Sequence, residues 1–444
     1  MSNFECIEHV VPCQHIRQYA RSTARCQEDT LHLAVKQYQP RNQTPRAGDV
    51  TIIACHASAF PKELYEPLWD ELYQTTQNGG PNSFRIRNIW IADVANQGAS
   101  GVLNEKKLGN EPSYMDHARD LLLMTNHFRD QMQRPIHTEL IVSNCSGIGH
   151  SMGGNIIVNL ALLHPRLFTT IIPLEPVINK DPKDMDFINA YPLTFKKDRW
   201  ASRSEAEASF RKSSMHKFWD PRTLQLIFKY GLREVPAAPQ SDGHQPSGPA
   251  PVTLTTTRDQ EVLSFARASY PSRSEPFSSF KPTRRAHPDL GPDRNPHNAF
   301  YRPEATNTHL QLQYLQPSCL YVYGERSHMA AANPHGRAAK AESTGRWNLD
   351  RAAVAEEIVK GASHFLVFEK PGRVAEIIGN WMAQELEAWR REEANLEEEL
   401  EKIPVEERSR VDEDWRFWME DRFGERVKKG QKKAPANAKP KPKL

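Results

Sequence analysis

The stretch GIGHSMGGN, residues 147 to 155, constrains this chain more than any other. It sets Ser151 between Gly149 and Gly153, with SGIGH before the serine and the apolar NIIVNLALL after the glycines. A buried strand can turn sharply into a buried helix only over small neighbours, because the helix packs back against the strand it has just left. Such an elbow holds its serine in a strained conformation and lifts the hydroxyl clear of the sheet. The competing reading is a chance glycine-rich turn, and the strand–turn–helix context favours the elbow. The elbow belongs to sheets of parallel strands joined by helices, so it predicts the pattern of the remaining chain.

Up to about residue 175 the chain follows that pattern. DVTIIACHA reads as a buried strand, RIRNIWIADVANQG as another ending in a polar loop, and LHLAVKQYQP alternates like an exposed strand. KELYEPLWDELYQ has helical spacing through Leu64, Leu68 and Leu72, and SYMDHARDLLLMTNHFRDQM reads as a helix with Ser113 as its N-cap. NIIVNLALLHP is an apolar helix stopped by Pro165, and FTTIIPLEPV is a further strand. Alternating strands and helices predict the α/β class, with a mostly parallel sheet covered on both faces.

Residues 179 to 312 break the rhythm. DPRTLQLIFKYGL looks helical, and the Pro-, Ser- and Arg-rich segments after it read as loop or partly disordered cover. The rhythm returns with PSCLYVYGE and EEIVKGASHFLVFEKP. A helix from Val374 then runs into highly charged sequence and a basic tail, RVKKGQKKAPANAKPKPKL. The expected organisation is a core over 1–178, a lid or cap insertion over 179–312, the rest of the core over 313–390, and a charged helical extension with basic tail over 391–444.

Charge narrows the function classes. With 58 Lys+Arg against 55 Asp+Glu, the chain lacks the basic excess of a dedicated nucleic-acid binder. The six cysteines follow no pairing pattern and read as reduced thiols of an intracellular protein. The N-terminus has no apolar core of signal-peptide length, and no run approaches the roughly 20 apolar residues of a membrane span, so a soluble protein is expected. There is no metal-ligand cluster, phosphate loop or dinucleotide fingerprint, so neither metal nor cofactor is implied.

An elbow serine needs three kinds of partner. Oxyanion donors are expected at the backbone N–H of Met152 and, from the loop in TIIACHASAFP, at the N–H of Ser58. The His56 side chain before that loop reads as structural. The base is expected after the last strand, where GASHF carries His364. Two acids are open. Glu175 ends the strand after the elbow helix, and Glu325 lies in LYVYGERSHMA, where Ser327 occupies the position expected for an aspartate. The reading favours Glu175, since a buried glutamate at a strand end needs a partner such as a histidine N–H.

The stretches HASAFPKELYEPLWDEL, GIGHSMGGNIIVNLALLHPRLF, LEPVI, GERSH and GASHFLVFEKP together resemble fungal α/β-hydrolases of the yeast peroxisomal lipase type. The resemblance is closest to the hydrolases of host-selective (AK-, AF- and ACT-type) toxin biosynthesis in plant-pathogenic fungi. It implies an α/β-hydrolase fold with a lid, and it supports carrying the acid role onto Glu175. It implies a serine hydrolase of an apolar acyl ester or thioester in peroxisomal secondary metabolism, with a small-molecule acyl substrate. An acyltransferase of the same fold, or an acyl-binding protein without turnover, are the alternatives. Pro442-Lys443-Leu444 keeps the basic and leucine positions of a Ser-Lys-Leu import signal but has proline first, which points to a peroxisomal import receptor as partner; a cytoplasmic location is the alternative. One departure stands out: relatives of this kind run almost directly from RPI into GIGHSMGG, whereas here His137 to Ser146 intervenes. Either it extends the strand, or its ELIV displaces SGIGH from the sheet, or it is a misdrawn gene-model boundary.

Overall fold

Neighbouring residues on a strand face opposite ways, and in this chain each way leads to its own core. The computed structural model describes residues 3–46, 48–77, 83–132, 145–180, 190–235, 250–291, 298–328, 334–350 and 352–432. In chain order the strands are β1 (Phe4–Pro12), β2 (His32–Pro40), β3 (Val50–Cys55), β4 (Ile86–Ala92), β5 (Cys145–His150), β6 (Thr170–Leu174), β7 (Arg199–Trp200), β8 (Leu232–Glu234), β9 (Val252–Leu254), β10 (Arg267–Ala268), β11 (Phe300–Tyr301), β12 (Ser318–Gly324) and β13 (Val354–Val359). Eight of them form the main sheet in the order β1-β2-β4-β3-β5-β6-β12-β13. The pairs β1–β2 and β2–β4 are antiparallel; every other pair in this sheet is parallel.

On one face, Ile52, Ile89, Ile91 and Leu174 pack with Leu68 and Trp69 of the helix Glu66–Gln77 and with Val374 and Ile378 of the helix Pro371–Glu401. On the other, Ile53, Trp90 and Ile171 pack with Leu121 of the helix Tyr114–His127 and with Ile156 and Leu160 of the helix Met152–Leu163. Trp69 and Trp90, fully buried on opposite faces, each contribute about 2–3 kcal/mol by removing apolar surface from water. Ser113 caps its helix as expected, accepting from the Met115 amide.

The structure changes several readings. β2 is not exposed. β1, which the sequence reading passed over, takes the edge, and β2 becomes an interior strand whose Leu33, Val35 and Tyr38 are buried. Its polar Lys36 is buried too, because Glu63 holds the ammonium at 3.2 Å. The long helix begins at Pro371 rather than Val374, with proline at the first position, where its missing N–H costs nothing. The segment between β6 and β12 carries two small antiparallel sheets, β7-β9-β8 and β10-β11, and the capped helix Pro221–Tyr230.

Of the His137–Ser146 segment, 137–144 lie outside the described residues. Cys145 and Ser146 open β5, and SGIGH is paired in the sheet between β3 and β6. The C-terminal tripeptide Pro442, Lys443 and Leu444 also lies outside the described residues. The chain divides into two compact units, Met1–Glu387 and Ala388–Leu444. Within the second, Asp412 caps the helix Glu413–Met419 by accepting from the Trp415 amide. Among the described residues no helix is long and apolar enough to cross a membrane.

Candidate active site

Ser151 stands between β5 and the helix Met152–Leu163 with φ 56° and ψ −114°, a left-handed conformation that costs a non-glycine residue of order 1–3 kcal/mol. The flanking glycines make it possible. A Cβ on Gly149 would lie 2.2 Å from the Gly153 carbonyl oxygen, and one on Gly153 would lie 2.3 Å from that of Cys55. The helix therefore crosses the ends of β3 and β5 in backbone contact. The Ser151 N–H donates to the Leu174 carbonyl at 2.8 Å, which ties the turn to the end of β6.

One residue beyond that end, Glu175 also has positive φ, 50°, and is completely buried. Its carboxylate faces the loop of His364, which lies between β13 and the short helix Leu366–Glu369. His364 Nδ1 is 3.1 Å from Glu175 Oε2, and His364 Nε2 is 3.0 Å from Ser151 Oγ. A carboxylate only accepts, so Nδ1 carries the proton and Nε2 accepts the serine O–H. That is the arrangement in which a histidine can withdraw a proton from a hydroxyl.

A buried carboxylate needs donors, and Glu175 has two besides the imidazole. The Gly324 N–H donates to Oε1 and the Ser327 hydroxyl to Oε2, both at 2.6 Å. Glu325 is turned away: it is exposed, and its carboxylate accepts the Gly361 N–H at 2.8 Å. Of the two open acids, the fold brings Glu175 and not Glu325 to His364. The serine in the aspartate position reaches the same carboxylate.

The loop expected to supply an oxyanion donor follows β3. Ala57 donates its N–H to the Tyr65 hydroxyl and Ala59 donates its own to Gln97, while the Ser58 N–H has no acceptor among the described residues. Met152 opens the elbow helix, so its N–H has no intrahelical acceptor either. His56, completely buried, accepts the Val94 N–H at Nε2 and donates from Nδ1 to the Ala57 carbonyl. Its side chain thus joins the ends of β3 and β4, and burial pushes it below the usual histidine range.

His150 and Tyr65 went unnoticed in the sequence. His150, immediately before the serine, is completely buried and pushed down to about 3, first by burial and then by its neighbour His364. It is bonded to Tyr65 and to the His364 main chain. The only hint was that GHSMG spends a histidine at a strand end where any apolar residue would pack. Aromatic rings flank the site as well. Phe60 of the loop after β3, Phe365 beside the histidine, and Trp219 from the segment between β6 and β12 meet pairwise with ring centres 5.6–6.0 Å apart.

No protein-family model matches the chain. Among curated proteins, the type I acyl-CoA thioesterase mpaH of Penicillium roqueforti is 37% identical over 413 residues, covering 89% of this chain and 91% of that protein. The thioesterase mpaH' of Penicillium brevicompactum is 38% identical over the same shares. The abhydrolase domain-containing protein AKT2 of Alternaria alternata is 26% identical over 246 residues, 54% of this chain and 83% of that one. Among solved structures, the peroxisomal α/β-hydrolase Lpx1 of Saccharomyces cerevisiae superposes with a TM-score of 0.61, covering 99% of this chain and 100% of that one at 19% identity. At that identity the superposition speaks for the α/β-hydrolase fold alone.

Proposed function

Because this chain belongs to the family of the mpaH type I acyl-CoA thioesterases, we propose that it hydrolyses the thioester of an apolar acyl-CoA through Ser151, His364 and Glu175. The observation that carries this reading is the continuous chain of contacts, 3.0 Å from serine to imidazole and 3.1 Å from imidazole to carboxylate, behind an elbow serine. Ser151 Oγ attacks the thioester carbonyl while His364 Nε2 takes its proton. The oxyanion that forms is held by the N–H groups of Ser58 and Met152. Collapse expels the thiol, protonated by His364, and leaves an acyl-serine. Water attacks the acyl carbonyl with His364 again as base, and the free acid leaves. Glu175 holds the imidazole and steadies the imidazolium through both halves.

The segment 179–312 serves as the lid, shielding the acyl chain from water. Trp219 supports this, since it brings an aromatic ring from that segment to Phe60 and Phe365. The small-molecule substrate comes from fungal secondary metabolism, as the kinds of relative suggest. The tripeptide Pro442-Lys443-Leu444, presented by KKAPANAKPK, acts as a variant import signal read by a peroxisomal receptor. A fluorescent fusion lacking those three residues is expected to stay in the cytoplasm.

The test of the chemistry is pre-steady-state hydrolysis of acyl-CoAs of graded chain length. The wild type is expected to release thiol in a burst equal to the enzyme present. Ser151→Ala is expected to lose the burst, and Glu175→Gln to lose about 10⁴-fold in kcat by leaving the imidazole in the wrong tautomer. Turnover that survives in Ser151→Ala, or a wild type inert towards every acyl-CoA, would overturn the reading.

A further inference from the structure

Three contacts that the proposed chemistry does not use join the parts that carry it. The Ala57 N–H donates to the Tyr65 hydroxyl oxygen at 2.8 Å, that oxygen lies 2.9 Å from His150 Nδ1, and His150 Nε2 lies 2.9 Å from the His364 carbonyl oxygen. Two facts fix every proton along these contacts: a carbonyl oxygen only accepts, and burial keeps His150 neutral, with one N–H. His150 therefore carries its hydrogen on Nε2 and donates it to His364. Its Nδ1 is then an acceptor, so Tyr65 donates its hydroxyl hydrogen there. The Tyr65 oxygen keeps a lone pair for the Ala57 amide. Each hydrogen has one acceptor, and the pattern closes with none left over.

Each end of the chain is next to a reacting group. Ala57 precedes Ser58, His150 precedes Ser151, and the third contact lies on the main chain of His364 itself. Tyr65 sits in the 3-10 turn Lys62–Tyr65, and both rings are buried against Phe368, at 5.3 and 5.5 Å between ring centres. The burial that holds His150 neutral keeps the same proton pattern across the pH range in which a histidine base works.

We infer that Tyr65 and His150 are positioning residues, a hydrogen-bonded brace that sets the oxyanion loop and the base loop at fixed distances from the elbow serine. The inference rests on the hydrolase reading above. An uncharged brace suits this place, because a charge beside the imidazole would oppose or over-stabilise the imidazolium. Errors of about 1 Å between reacting groups can cost on the order of 10²-fold in rate, so removal of the brace is expected to register in kcat.

The experiment uses the full chain, a p-nitrophenyl ester, and active-site titration with a fluorophosphonate, so that kcat is expressed per competent serine. Tyr65→Phe and His150→Leu are each expected to lose about tenfold or more in that kcat with KM within about twofold. His150→Gln, whose side-chain N–H can still reach the His364 carbonyl, is expected to recover part of the leucine loss. A purely structural role would lower the titratable fraction and leave kcat per titrated site unchanged. Values within twofold of wild type for both Tyr65→Phe and His150→Leu overturn the brace, and so does glutamine no better than leucine. Ser151→Ala run alongside separates the two ideas. Retained turnover there removes the catalytic reading, whereas an inactive Ser151→Ala with unaffected brace variants removes the brace alone.

Discussion

Ser327 stands where hydrolases of this fold commonly keep the aspartate of the triad, and it donates its hydroxyl to Glu175, the acid proposed in its place. The exchange is possible because β6 and β12 are neighbours in the sheet, so the ends of both approach the same histidine. Glu175 then needs its second oxygen satisfied and its first held facing His364, which Gly324 and Ser327 do. A hydrogen bond to a charged group contributes about 1.5–3 kcal/mol, part of which the imidazole and the Gly324 amide can offset after relaxation. Ser327→Ala is expected to lower kcat about tenfold with KM little changed. Ser327→Asp is expected to do worse, since two carboxylates sharing one site cannot both remain ionised and the pair competes for one imidazole. Steady-state kinetics on both variants decides this; an alanine variant within twofold of wild type would show that Ser327 merely fills space.

At the scale of elements, the elbow depends on backbone touching backbone. Gly153→Ala would drive a methyl to 2.3 Å from the Cys55 carbonyl oxygen, and neither partner can swing away. Overpacking of this kind costs about 1–3 kcal/mol, and the helix would have to lift off β3 and carry Met152 away from the loop after β3. Gly291→Ala, with nothing within 4 Å of the new methyl among the described residues, is the matched control and is expected to be neutral in a urea titration. The elbow, β3 to β6 and the His364 loop were legible in the sequence because apolar runs bounded by turn residues have a period to detect. β1 was not, because FECIEHVVP mixes polar and apolar positions at an exposed edge. The two- and three-residue strands of the 179–312 segment are too short to have a period at all. The choice between Glu175 and Glu325 needed the fold, since only the sheet order shows which carboxylate faces the imidazole. Tyr65 and His150 were invisible for a similar reason, their bonds spanning 85 and 214 residues of chain.

For the whole molecule, the same burial that orders the site sets how the protein responds to acid. His56, His117 and His150 are completely buried, and burial is the leading cause that pushes each below the usual histidine range. Groups of this kind stay neutral in the folded state while the unfolded chain takes up protons below about pH 6.5, so stability is full above that pH and falls below it. Two buried carboxylates act the other way. Asp116, raised to about 6 by burial, and Asp120, also raised by burial, bind protons in the folded state first and so gain stability as the pH falls towards 4. The net acid response of the wild type therefore mixes opposing groups and says little about any one histidine. A single substitution isolates the histidine term. His56 and His150 are hydrogen-bonded, whereas neither ring nitrogen of His117 has a partner among the described residues, and its surroundings hold the cationic Arg17, His56 and the carboxylate of Asp93. His117→Leu removes a proton site that only the unfolded state can fill and leaves no polar group unpaired. Relative to wild type, the variant is expected to gain about 2 kcal/mol between pH 7 and pH 5, the free energy of protonating one ordinary histidine in the unfolded chain. Paired urea titrations at the two pH values measure that difference directly. A gap between variant and wild type that does not widen towards pH 5 would mean that His117 is protonated in the folded state, with Asp93 strong enough to hold its charge.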